Sequence, residues 1–394
     1  MADVINANTT VAVEKEVTEG TLVLPSGAAS FVSPLEDGVN EITIQTKEVL
    51  ERGNTNTSLD KDVSRSGIRI PNGTIGFELK SGDAEAAPEY SEFIESALGG
   101  TEAASADVAT TTSHTTDTIN MADTSAFAVN EIVAVKEAGG EIIHVSPVES
   151  IVTNTSITLL VAYGSSFADT VTVKKLIDYR TADSGHPSLS ITKYNTNSDA
   201  TSAATRETAA GCKINSMSIE NWTTGQQPTI TFAYEGMEYT NTVAVSSYTG
   251  TYDDALPVVA LNACIYKDGV SLPMNDFTVS VENTIDPKTT TCSENGRVGL
   301  RVSNRSISGT VNPYKADDSV AEWDDWDDDT TFSLFAWGYN ATTSGNKEEV
   351  VSLFMPNCQY TEVTQASLGG LAQNAFTYMA RKDSDGPTLS IAFG

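Results

Sequence analysis

The sequence predicts a mainly β protein with few helices, and three observations carry that expectation. About one residue in eight is Thr, with Val, Ile and Ser plentiful, and β-branched side chains suit a pleated strand. Short runs alternate apolar and polar residues, as in Glu41-Ile42-Thr43-Ile44-Gln45, Thr229-Ile230-Thr231-Phe232-Ala233-Tyr234 and Phe277-Thr278-Val279-Ser280-Val281. This is the period-two signature of a strand with one buried face. Turn residues separate the runs. A length of 394 residues suits two or three domains, and a hydrophobic fraction of 39 % is enough to build cores.

Taken in chain order, residues 1–17 form a polar N-terminal arm, expected to be mobile alone and to order only against a neighbour. Its start, Met1-Ala2-Asp3-Val4-Ile5-Asn6-Ala7, has neither a basic nor an apolar region, so no export signal is expected there. Beyond it the chain repeats itself. Asn40-Glu41-Ile42-Thr43-Ile44 matches Asn275-Asp276-Phe277-Thr278-Val279 at an offset of 235. The stretch from Gly67-Ile68-Arg69 to Gly73-Thr74-Ile75 matches Gly299-Leu300-Arg301 to Arg305-Ser306-Ile307 at 232. Tyr90 and Phe93 match Trp323 and Trp326, each pair spaced to bury one face of a short helix under acidic cover.

The offset then falls. Ser188-Leu189 through Tyr194-Asn195 matches Ser333-Leu334 through Tyr339-Asn340 at 145, Cys212 matches Cys358 at 146, and Phe232 and Tyr234 match Phe376 and Tyr378 at 144. The jump measures an insertion between Leu98 and Pro187. It begins with Thr110-Thr111-Thr112-Ser113-His114-Thr115-Thr116, which reads as a flexible polar linker. Expected strands follow at 131–136, 141–145, 156–160 and 170–175, with Gly139-Gly140 as a hairpin turn. The organisation expected is therefore two tandem units, A (18–100 with 187–247) and B (248–394). Each is a β-sandwich or half-barrel with a short helix. A small β domain (101–186) is set in a loop of unit A and projects from the exterior.

Charge narrows the function classes. With 23 Lys+Arg against 53 Asp+Glu the formal charge is −30, so the surface would repel a polyanion rather than bind it. The insert holds 11 acids and 4 bases, a net −7 that leaves −23 for the two units. No stretch approaches the ~18 apolar residues of a membrane span. Cys212, Cys264, Cys292 and Cys358 form no CxxC and are expected as buried thiols, with a Cys264–Cys292 bridge possible but unforced.

No catalytic, cofactor-binding or metal-ligating residue stands out. The three histidines (His114, His144, His186) lie in the insert or at its junctions, and no HExxH, GxSxG or GxxxxGK[ST] occurs. Asp317 through Asp329 holds eight acids and no base; it lacks the Gly of a calcium loop and is read as a solvated helix face. Trp222, Trp323, Trp326 and Trp337 are expected in cores or interfaces.

The order of strands, a helix with an aromatic pair and further strands resembles the tail tube proteins (major tail proteins) of long-tailed bacteriophages, here in duplicated form. So does Val298-Gly299-Leu300-Arg301-Val302-Ser303-Asn304-Arg305-Ser306-Ile307-Ser308-Gly309-Thr310-Val311 running into an acidic helix. The resemblance covers both units and not the insert. It implies a non-enzymatic structural virion protein without cofactors, assembled in the host cytoplasm for a siphophage tail. Sheets of neighbouring copies would join into a ring, and rings would stack into a tube that conducts DNA during genome ejection. A duplicated chain implies a homotrimer with pseudo-sixfold symmetry, or else a ring of six chains. The implied partners are further copies of itself, a tape-measure protein, terminator and baseplate proteins, and DNA passing without specific binding. The alternatives are another tail ring component (terminator or baseplate) and a surface adhesin or carbohydrate-binding β-sandwich.

Overall fold

The computed structural model describes residues 4–25, 31–35, 42–51, 63–197, 204–245, 252–253, 255–260, 263–292, 296–315, 320–341, 347–383 and 386–394. Among them the protein is mainly β, with two short α-helices. The first part contains β1 (Val4–Lys15), β2 (Phe31–Val32), β3 (Ile42–Leu50), β4 (Arg65–Glu78) and helix α1 (Ser91–Leu98). Then β5 (Gly99–Glu102) pairs with β12 (Ile177–Thr181) at the base of the insert. Between these two lie β6 (Val108–Ala109), β7 (Thr118–Asn120), β8 (Ile132–Lys136), β9 (Ile142–Val152), β10 (Ser156–Leu159) and β11 (Thr172–Lys175). The chain continues through β13 (Leu189–Asn197), β14 (Ala204–Glu220), β15 (Thr229–Glu235) and β16 (Glu238–Val245). The last part contains β17 (Ala263–Lys267), β18 (Val270–Ser271), β19 (Met274–Thr289), β20 (Arg297–Pro313), helix α2 (Val320–Asp327), β21 (Thr331–Ala341), β22 (Lys347–Leu368), β23 (Leu371–Ala380) and β24 (Ser390–Phe393).

One pairing order occurs twice. In the first half β3 pairs with β4, β4 with β15, β15 with the second part of β14, and the first part of β14 with β13 and β16. In the second half β19 pairs with β20, β20 with β23, β23 with the second part of β22, and the first part of β22 with β21 and β24. Each long strand changes partners at a bulge, between Ile214 and Ser216 in β14 and between Tyr360 and Glu362 in β22. Such a bulge bends a strand and lets it serve two sheets.

The register departs from the offsets expected above. Phe232 and Phe376 lie opposite Ile75 and Val311, so Gly73 corresponds to Gly309, 236 residues apart rather than 232. Gly73 and Gly309 face Ile42 and Val279, 237 apart rather than 235. Ile191 and Leu334, paired with Ala209 and Met355, are 143 apart rather than 145. Every slip is even, because alternation fixes which face a residue takes and not its partner.

Between the sheets lies one large core. Phe77, Tyr90, Phe93 and Phe232 form its aromatic centre, with Phe77–Tyr90 and Phe93–Phe232 ring centroids 5.1 and 5.4 Å apart. Tyr90 donates its hydroxyl to Lys80 O at 2.7 Å, which satisfies the one polar atom this ring brings inside. Helix α1 ends at Gly99, whose φ of 93° turns the chain into β5. In the second half Tyr360 stacks on Phe376 at 4.5 Å, and Phe277 on Tyr378 at 6.2 Å. Burial alternates along β15, with Ile230, Phe232 and Tyr234 inside, as the sequence pattern requires.

The insert has a core of its own around Ile119, Phe127, Val133, Val135, Val148, Ile157 and Phe167. Its strands fall where the sequence places them. All five residues of β8 are buried. Val133 and Val135 face the insert's core, while Ile132 and Ala134 join Ile142 and Leu176 against Phe335, Trp337 and Phe354 of the second half. The insert is thus packed on β21 and β22 rather than hanging free. Lys136 and Lys174 both pair with Glu85, tying it to the segment before α1.

Two segments differ from expectation. The stretch 110–116 is not a loose linker: His114 is buried, its Nδ1 accepts from Asn120 N at 3.1 Å, and Thr111 N donates to Asn120 O at 2.8 Å. Most of the N-terminal arm is likewise strand. Thr9 to Lys15 pair with Asn195 to Leu189, and the apolar run Val11-Ala12-Val13 is buried, which outweighs the polar residues around it.

Gly309 offers a direct test of the packing. A Cβ there would lie 2.0 Å from Thr278 O and 2.5 Å from the Tyr378 hydroxyl. Gly309→Ala should destabilise the protein by about 1–3 kcal/mol, an overpacking cost, read by denaturant unfolding.

Candidate inter-subunit surface

The strands β3, β4, β15, β14, β19, β20, β23 and β22 form one continuous antiparallel run. The two halves meet in its middle, where Ser216, Met217, Ser218 and Ile219 of β14 face Glu282, Val281, Ser280 and Val279 of β19. Among the described residues β3 pairs only with β4, and β22 beyond Tyr360 only with β23. Both ends of the run therefore present backbone donors and acceptors in the geometry another strand would match.

The hairpin β19–β20 reaches past the joint and closes over the end of α1. Asn283 Nδ2 donates to Ala97 O at 2.9 Å and to Ile214 O at 3.1 Å. Arg305 Nη2 donates to Leu98 O at 3.0 Å and to Ala182 O at 2.8 Å, and lies 2.9 Å from His186 Nε2. Burial, with Arg305 and Lys213 nearby, lowers the His186 pKa. A neutral ring donating from Nδ1 to Ser96 O, 2.9 Å away, leaves Nε2 free to accept from Arg305. One guanidinium thus gathers the end of α1, the insert's return strand and the second half.

The two helices differ in cover. Phe93, Ile94, Ala97 and Leu98 of α1 are buried, as is Tyr90 at its N-cap. In α2 Trp323 is half-buried, Trp326 is 36 % exposed, and Asp324, Asp327 and the following Asp328 and Asp329 are exposed. Asp325 pairs with Lys267. The acidic run is a solvated helix end as far as it is described; Asp317 and Asp318 lie outside the described residues.

The other singled-out residues scatter. Trp222 and Trp337 are buried. Cys212 and Cys358 are buried as expected, but Cys264 and Cys292 are exposed and all four are free, so no Cys264–Cys292 bridge exists. Cys264 sits at the end of β17 and Cys292 in the turn after β19, where no apolar layer covers them. His144 stands between the insert and Trp337, 6.2 Å away edge-on, with Nε2 2.8 Å from Val161 O. No three metal-ligating side chains come together among the described residues. The grooves beside β19–β20 carry mixed charge, with Arg305, Arg381 and Lys382 near Asp183 in one, and Lys213, Lys288 and Arg301 near Glu19 and Asp286 in the other. Sequence reading missed Arg305 and Asn283. The available signal was an arginine in an acid-rich chain, inside the repeated stretch that runs from Gly299 to Ile307.

Among the described residues, strand edges stand open at both ends of a long run, and no helix is long and apolar enough to cross a membrane. The chain belongs to the phage tail tube protein family, whose model matches residues 6–380. No individual characterised protein matches the sequence significantly. It is a structural component of the virion tail, and its family self-assembles into a tube.

The seam at His144 predicts a pH dependence. Burial lowers its pKa to about 4, below the unfolded value, so its contribution is whole above pH 6.5 and is lost as pH falls towards 4. Between those values wild type should lose about 3 kcal/mol more than His144→Phe, read by unfolding at each pH.

Proposed function

We propose that this chain is the repeating subunit of the tail tube of a long-tailed, non-contractile phage. Copies join edge to edge into rings, rings stack head to tail, and the acidic lumen lets DNA slide through during ejection. The observation that carries this reading is the eight-strand run with one unfilled edge at each end among the described residues. Closing a sheet on itself is the general way to remove such edges, and head-to-tail contacts that do not close give filaments. The net charge of −30 fits a conduit that must not hold its cargo, since acidic walls repel phosphates.

The recurrence of one pairing order favours two tube units, A (18–100 with 187–247) and B (248–394), and therefore a ring of three chains with six units. The insert (101–186) decorates the outside. Assembly takes place in the host cytoplasm along a tape-measure protein, between a baseplate and a terminator. Catalysis and cofactors have no part in this role.

Purified protein should form rods or stacked rings in negative stain, with three chains per ring by cryo-microscopy; a chain that stays monomeric under all assembly conditions would count against the reading. Deleting 103–176, which keeps β5, β12 and His186, would bare Phe335, Trp337 and Phe354. The shortened chain should aggregate, and replacing those three by Ser or Gln should restore soluble protein that still forms rods.

A further inference from the structure

The joint inside the chain carries information about the joint between chains. The second part of β14 corresponds to that of β22. Cys212 and Cys358 hold like positions, and bulges follow at Ile214/Ser216 and Tyr360/Glu362. Ser218 and Ile219 therefore correspond to Thr364 and Gln365. By the same registers Val279 and Ser280 of β19 correspond to Ile42 and Thr43 of β3. Within the chain, Ser218 faces Ser280 and Ile219 faces Val279. Their counterparts on β22 and β3 have no second partner among the described residues.

We propose that β3 of one copy adds antiparallel to the outer edge of β22 of the next copy, with Thr43 opposite Thr364 and Ile42 opposite Gln365. This rests on the tube reading and names the contact through which its rings close.

Two further observations support the same joint. The first is the unequal cover of the helices. The α1 helix is packed on β14 and β12, and its last carbonyls are capped by Asn283 and Arg305 of β19–β20. Helix α2 packs on β22 as α1 packs on β14, yet Trp326 stays 36 % exposed. The hairpin that corresponds to β19–β20 is β3–β4, and in the joint the next copy brings it to the end of α2. The second is charge. Arg305 faces Asn283, and the register places Arg69, opposite Lys47, at the corresponding position of β4. In the joint that position lies beside the end of α2, where Asp324, Asp327, Asp328 and Asp329 are exposed. In-chain, Arg305 meets helix carbonyls; between chains, the corresponding position of β4 lies beside carbonyls and carboxylates, which favour a cation there.

The test uses the full chain with exposed Cys264 and Cys292 changed to Ser, adding Thr43→Cys and Thr364→Cys. Assembled rods are treated with a short bismaleimide and run on a denaturing gel. The expected result is a ladder of covalent multimers ending at the ring's chain number, with neither single cysteine variant giving it. Rods that form from the double variant and yield only monomers would overturn this joint while leaving the tube reading in place. Failure of the parent chain to polymerise at all would overturn both. Arg69→Glu should raise the concentration needed for rods about tenfold, and Asp328→Arg in the same chain should recover most of it. An Arg69→Glu chain that assembles like wild type would remove the helix end from the contact.

Discussion

A β-sheet that stops leaves a row of unpaired N–H and C=O groups, and this chain is organised around that constraint. Inside the molecule the problem is solved once, where four residues of β14 meet four of β19. Everything near the joint supports it. The hairpin runs on over α1, Asn283 and Arg305 cap the helix's last carbonyls, and a neutral His186 completes the guanidinium's contacts. At the two ends of the run the same kind of edge stands open. A protein that lived alone would blunt such edges with short strands, prolines or covering loops. Here the β22 edge runs on without a shift from Glu362 to Leu368, while β3 carries two register shifts yet has no second partner among the described residues.

Much of the architecture was legible in the sequence, and the reason is periodicity. Alternation along 229–234 and 277–281 appears as strands, and Gly139-Gly140 appears as a hairpin turn between β8 and β9. Register was not legible. A strand slipped by two or four residues buries the same face, so Arg69 was matched to Arg301 when its position belongs with Arg305. Chain composition also misled where tertiary contacts dominate. Threonines that read as a linker are held by His114 and Asn120, and an arm read as mobile contributes Val11 and Val13 to the core. The equal aromatic pairs Tyr90/Phe93 and Trp323/Trp326 gave no hint that one helix is sealed and the other bare.

Charge acts at two scales. The formal −30 is a long-range property that keeps polyanions and like surfaces apart. The few bases are placed locally, where they hold pieces together. Lys136 and Lys174 meet Glu85, and their attraction holds its carboxyl below the usual range although burial pushes the other way. Lys175 and Arg180 share Glu102 and Glu131 at the foot of the insert. Burial raises the Asp178 pKa to about 6, even with Arg180 beside it. In this acid-rich chain several of the few cations thus sit at seams between segments.

The doubly buried strand β8 has a consequence for how such a protein can change over generations. A segment with a core of its own reads as a part that could be exchanged whole. This one is not modular in that sense. Ile132 and Ala134 belong to a core completed by Phe335, Trp337 and Phe354, more than 200 residues along the chain. A transplanted insert would arrive with the wrong face for that surface, so the module and its landing site are constrained to vary together. At Gly139 and Gly140 added side chains would meet open space, but that freedom stops two residues on, at Ile142, which pairs with Lys347 of β22.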